Sequence, residues 1–219
     1  MENNKDDKKI NYSGINLKKI ESIVNITKKI NHTKFEKWFS FEYKISVIEN
    51  EFLEKLIRKN ELYLPSYNEE KLFASFISRI LNEVDFSFSD VKDWYSSWLQ
   101  GELNGFKFSG KPYFMVAKGN EFPKEPYFFI QEFKPSERPT KVKDQLLAEM
   151  LVAMEINKTN IFQGAFIIGQ NWFFVVLEKL KSGNYEYFVS RQFDSLNIEN
   201  LRQIYINLQA AKKLFCNKK

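Results

Sequence analysis

The 219-residue chain has few of the residues that build the commonest active sites: one histidine, His32, and one cysteine, Cys216. A single cysteine excludes an intramolecular disulfide and cannot by itself form a thiolate metal site. His32 lies in the polar stretch Asn31-His32-Thr33-Lys34, where a solvated surface histidine is expected. That removes Ser–His–Asp triads, Cys–His dyads and zinc sites built on several imidazoles. No glycine-rich phosphate loop and no nucleophile elbow is present. No apolar run approaches the roughly 20 residues that span a bilayer, and no charged-then-apolar signal segment opens the chain. The expectation is a cytoplasmic protein with no membrane partner.

Phenylalanine is abundant instead, with 22 copies against 8 glycines. Many of these rings sit in runs such as Tyr127-Phe128-Phe129-Ile130 and Trp172-Phe173-Phe174-Val175-Val176, which read as sheet core rather than as base-stacking platforms. The net charge of +5 is compatible with a nucleic-acid partner and equally with a lysine-rich solubilised surface.

Residues 1–13 read as a polar tail, and Ile15 to Ile30 as an imperfect amphipathic helix. Ser46 to Lys59 has a helical apolar face. The aromatic group Phe35, Trp38, Phe39, Phe41 and Tyr43 between them is suited to packing this region onto a main body. Leu72, Phe73, Phe76, Ile77, Ile80 and Leu81 then mark a strong helix, and Ser66-Tyr67-Asn68-Glu69 has the spacing of a capping box at its start. Trp94 and Trp98 are four apart, as on a helix. Strand periodicity begins after Gly101, with strands expected at Gly105–Ser109, Tyr113–Ala117 and Tyr127–Lys134. A helix over Lys141–Ile156, strands at Phe162–Ile168, Trp172–Glu178 and Tyr185–Phe193, and a helix over Ile198–Phe215 complete the order. The reading is an α/β (α+β) fold: a central mixed sheet flanked by helices over residues 63–219, with an N-terminal helical extension over residues 1–62.

In a strand, residues two apart share a face, so Glu132 and Lys134 project together from the end of Phe128-Phe129-Ile130-Gln131-Glu132-Phe133-Lys134. A carboxylate suits a divalent metal through oxygen, and a lysine beside it suits orientation of water or stabilisation of charge on phosphorus. An exposed ion pair at a strand end has the same pattern, and on the spacing alone that plainer reading is favoured.

The strand order, the Glu-x-Lys position on the third strand and Gln145 on the next helix resemble the PD-(D/E)XK nuclease superfamily, which has the restriction-endonuclease-like fold. Ser109-Gly110-Lys111-Pro112-Tyr113, Pro126 to Pro135, Gln145-Leu146-Leu147-Ala148-Glu149-Met150 and Asn171 to Glu178 look like largely uncharacterised bacterial members of it. The resemblance spans Tyr63 to Phe215. It implies that Glu132 binds Mg2+ or Mn2+, that Lys134 serves the attacking water, and that Gln145 positions substrate or the lysine. Glu69 matches an acid that completes the metal shell, although a capping box explains it equally well. Gln145 also reads as an exposed helix residue.

The superfamily's second strand normally carries an aspartate, and here Tyr113 stands at that position. A phenol with a pKa of about 10 is a poor ligand for magnesium at neutral pH. Glu69 is then the expected substitute, with Asp85, Asp90, Glu102 and Glu121 unranked. Lys118, Lys124, Arg138, Lys141 and Lys143 are expected near the site, where they would follow a phosphate backbone or serve as solvated loop lysines. Two functions follow. One is a metal-dependent nuclease acting on DNA. The other is a nuclease fold without catalysis that binds nucleic acid or protein, with a protein partner or homodimer open in either case.

Overall fold

The computed structural model describes residues 9–136 and 139–216. From the N-terminus, β1 (Lys9–Asn11), α1 (Leu17–Glu21) and β2 (Ile26–Lys29) precede a 3-10 turn (His32–Phe35), α2 (Glu36–Phe39) and α3 (Val47–Asn60). After the 3-10 turn Leu64–Ser66, α4 (Glu69–Leu72), a π-helical segment (Phe73–Ile77) and α5 (Ser78–Val84) follow without a break. Next come β3 (Val91–Tyr95), β4 (Leu99–Leu103), β5 (Phe106–Gly110), β6 (Phe114–Lys118) and β7 (Lys124–Lys134). The chain continues through α6 (Pro139–Asn157), β8 (Ile161–Ile168), β9 (Asn171–Lys179), β10 (Tyr185–Val189), β11 (Phe193–Asp194) and α7 (Ile198–Leu214).

The result is a mixed α+β fold with a large mixed sheet flanked by helices. That sheet has the order β2-β10-β9-β8-β7-β6-β3, with β11 added on β9, and β1-β5-β4 form a second, small sheet. In the large sheet β7 pairs parallel with β8 and β2 with β10, while the other neighbours are antiparallel. A parallel pair needs a crossover connection, and α6 supplies the one between β7 and β8.

Several expected elements change. The helix expected over Ile15 to Ile30 is only the short α1, because Ile26–Lys29 is a strand that pairs with Tyr185 to Phe188. Residues 9–11 are a strand on β5, and Tyr12 beside them is buried. The first 62 residues are therefore not purely helical. The Trp94 region is β3, and it, not Gly105–Ser109, edges the large sheet beside β6. The aromatic group does pack onto the body: Trp38 is buried, donates its indole N–H to the Asn207 carbonyl at 2.7 Å, and meets Phe174 and Phe129 edge-on. No helix among the described residues is long and apolar enough to cross a membrane.

Alternation along β7 separates two cores. Phe129 and Phe133 join Trp38, Phe76 and Leu208 on one side, whereas Ile130 joins Leu146, Met150 and Val175 on the side of α6. Glu132 shares the face of Ile130 and so points towards α6. Close approach of that helix depends on Gly164 in β8. A Cβ there would lie 2.9 Å from the Ile130 carbonyl oxygen and 3.1 Å from the Met150 sulfur.

Candidate active site

The end of β7, the residue before β6 and the second and third turns of α6 meet at one place. Glu132 has no exposed surface, and neither has Glu149 on α6. Glu132 Oε1 accepts the backbone N–H of Tyr113 at 3.0 Å. Glu132 Oε2 and Glu149 Oε2 are buried without an N–H or hydroxyl donor. Each carboxyl acts on the other: the charge of Glu132 opposes ionisation of Glu149. Burial pushes Glu132 up to about 8, against the opposing pull of the Glu149 hydrogen bond and the Lys134 charge. Burial, then the charge of Glu132, holds Glu149 well above the usual carboxyl range.

Gln145 lies one helical turn before Glu149 and donates Nε2 to Glu149 Oε1 at 3.2 Å. It also favours the ionised form of Glu132. With Lys134 and Lys141 it lines a cleft of about 380 Å³, closed on the other side by Ser13 to Asn16. Gln145 therefore borders both the open cleft and the sealed acid pair.

Lys134 is half-buried and doubly engaged. Its ammonium donates to Glu69 Oε2 at 2.7 Å and to the Tyr113 hydroxyl at 2.9 Å. The Tyr113 ring rests on Phe133, with centroids 4.3 Å apart. The capping-box explanation of Glu69 fails: Asn68 is the N-cap of α4 and accepts from the Lys71 N–H, while the Ser66 hydroxyl donates to the Tyr63 carbonyl. A capping box forms instead at Ser46 and Glu49 of α3. Glu69 is thus free to serve Lys134.

The structure brings together Glu132, Lys134, Gln145 and Glu69, and adds Glu149, which the sequence reading did not rank. The signal for it was an acid set in the apolar run Ala148 to Met154 on α6. Two lysines expected nearby are elsewhere. Lys118 and Lys124 face each other at the opposite end of β7, roughly 30 Å of strand from Lys134, and Lys118 pairs with Asp90 at 3.1 Å. Lys143 is mostly buried against Asp144 and the Tyr187 hydroxyl, a position unsuited to following a phosphate backbone. Lys141 does line the cleft, and Arg138 lies outside the described residues. The other acids weighed for the metal also sit apart: Asp85 caps α5, Asp90 holds Lys118, Glu102 faces Lys107 in the small sheet, and Glu121 borders a cleft with Trp98.

Among the described residues no three His, Cys, Asp or Glu side chains are grouped to cage a metal. Two orphaned carboxyl oxygens lie there with the Gln145 amide beside Glu149, groups of the chemistry that hard divalent cations take. No protein-family model matches the chain, and no curated protein matches it.

Proposed function

We propose that the chain carries a restriction-endonuclease-like core and acts as a metal-dependent nuclease on DNA, with Glu149 standing in for the missing second-strand aspartate. The observation that carries this reading is the buried Glu132–Glu149 pair. Two carboxyls desolvated together, each with an orphaned oxygen, destabilise a fold, and such an arrangement is a marker of a functional site. The order of the helix α4–α5, strands β3, β6 and β7, helix α6 and strand β8, with Glu-x-Lys at the end of the third strand, supports the core assignment.

In this reading Glu132, Glu149 and Gln145 would hold Mg2+ or Mn2+. The ion, when bound, acidifies a water and offsets charge on the phosphoryl oxygens. Gln145 orients Glu149 and reaches the cleft. Lys134, held by Glu69 and Tyr113, keeps its ammonium at the cleft edge, where it stabilises negative charge on phosphate. Lys141 adds a second cation for the strand backbone. Holding such an ion would require Glu132 and Glu149 to be ionised, against the burial that raises both.

A plasmid-nicking assay with Mg2+ or Mn2+ tests this. The wild type is expected to nick, and Glu132→Ala and Glu149→Gln each to lose roughly 100-fold or more. Equal nicking by all three, or none by any, removes the catalytic reading.

A second reading, the nuclease fold kept only for binding, is favoured by one observation: Tyr113 captures the Lys134 ammonium with its hydroxyl and the Glu132 carboxyl with its N–H. Metal binding that is absent in the wild type and gained by Tyr113→Asp would support it.

A further inference from the structure

Outside the acid site, a cleft of about 500 Å³ lies between α3 and the helix running from α4 to α5. Four cations line it and no carboxylate does: Lys55 and Lys59 from one helix, Lys71 and Arg79 from the other. All four are exposed, and none makes an ion pair among the described residues. The contrast with other cations is sharp. Lys34, Lys118, Lys134, Lys179 and Arg202 each hold a carboxylate within 3.4 Å. Like charges one helical turn apart repel, so Lys55 with Lys59, facing two more cations across a groove, costs stability unless an anion is supplied.

The floor of the cleft is built. Asn60, buried, donates to the Leu56 carbonyl at 2.7 Å and accepts the Tyr67 hydroxyl at 2.9 Å. This fixes the Tyr67 ring, which lines the cleft together with Phe52 and has the Lys71 ammonium 5.8 Å from its centre. The opposite wall contains the π-helical segment, which carries Ser75 into the lining. Such single wide turns break helix regularity and often mark functional positions. The cleft is of the size that small-molecule sites occupy.

We propose that this cleft binds a small polyphosphorylated ligand of nucleotide size. Lys55, Lys59, Lys71 and Arg79 take the phosphates, Ser75 offers a hydroxyl donor, and the Tyr67 and Phe52 rings offer an apolar face for the remainder. The site is separate from Glu132 and Glu149 and does not depend on the nuclease reading.

Calorimetry in metal-free buffer at about 0.15 M salt tests it with inorganic triphosphate, ATP and a short single-stranded thymidine oligonucleotide. Expected is saturable one-to-one binding of triphosphate, with ATP at least as tight. Arg79→Gln and Lys59→Gln should each weaken it roughly tenfold, the effect of one lost charged hydrogen bond. Glu132→Ala and Lys107→Gln should leave it unchanged, and the substituted side chains at positions 59 and 79 are exposed and relieve like-charge repulsion, so thermal melts no lower than the wild type's are expected. No saturable binding of triphosphate or ATP overturns the proposal, as does binding indifferent to both Arg79→Gln and Lys59→Gln. Tighter binding of the oligonucleotide than of both small ligands overturns it too, by making the occupant a nucleic-acid strand.

Discussion

The two ends of β7 carry the same kinds of residue and opposite physics. At the start, Lys118 meets Asp90 in water, and the lysine's hydrogen bond lowers the Asp90 carboxyl below its usual range. At the finish, Glu132 and Glu149 face each other without solvent, and burial raises both. An exposed ion pair is screened and contributes little to stability. A buried pair of acids is destabilising when both are ionised, and such pairs are candidates for functional sites. Burial, more than residue type, separates a surface pair from a site.

The largest expected effect that sharpens this contrast is on catalysis. Glu132→Ala should lower metal-dependent nicking by roughly 100-fold or more, whereas Asp90→Asn should leave it unchanged. Equal losses would erase the difference between the two ends.

The next effect is on stability against pH. Because Glu132 is raised from an ordinary carboxyl value to about 8, the folded state holds a proton that the unfolded state releases. The raised acid pair thus costs nothing at pH 4 and weakens folding progressively as pH rises from about 4.5 towards 8. Denaturant titrations of metal-free protein should show that decline. Glu149→Gln should flatten it and add about 1–3 kcal/mol at pH 8. An unchanged slope in Glu149→Gln would mean that Glu149 does not hold a raised proton in the folded state.

A smaller effect is expected at Tyr113. Tyr113→Phe removes one acceptor from Lys134 but leaves Glu69 in place. The expected cost is about 1 kcal/mol in chemical denaturation, with metal binding retained. The smallest effect is at the far end, where Asp90→Asn should leave the melting temperature where it is.

Much of the large sheet was legible because β6, β7, β8 and β9 are apolar runs bounded by turn residues, as strands buried on both faces are. Four strands were not, β4 among them. β1 and β2 are short and polar, and each finds its partner far along the chain, Lys9 on Lys107 and Ile26 on Tyr185. No local pattern announces such pairing. β3 was hidden by the four-residue spacing of Trp94 and Trp98, which mimics a helix. For the site, Glu132, Lys134 and Gln145 followed from the motif and are brought together. Glu149 was missed because a polar residue on a helix normally faces water, and only the packing of α6 over Gly164 shows that this one does not. Lys118 and Lys124 were misplaced because sequence adjacency to β7 does not say at which end of an eleven-residue strand a loop lies.

The most direct test is a Mn2+ titration by calorimetry near pH 7 in buffers of different ionisation enthalpy, on the wild type and on Glu149→Gln. The acid pair as a metal site predicts binding coupled to release of about one proton in the wild type, with both lost or strongly weakened in Glu149→Gln. No binding by the wild type, or binding that releases no proton and ignores Glu149→Gln, would contradict it.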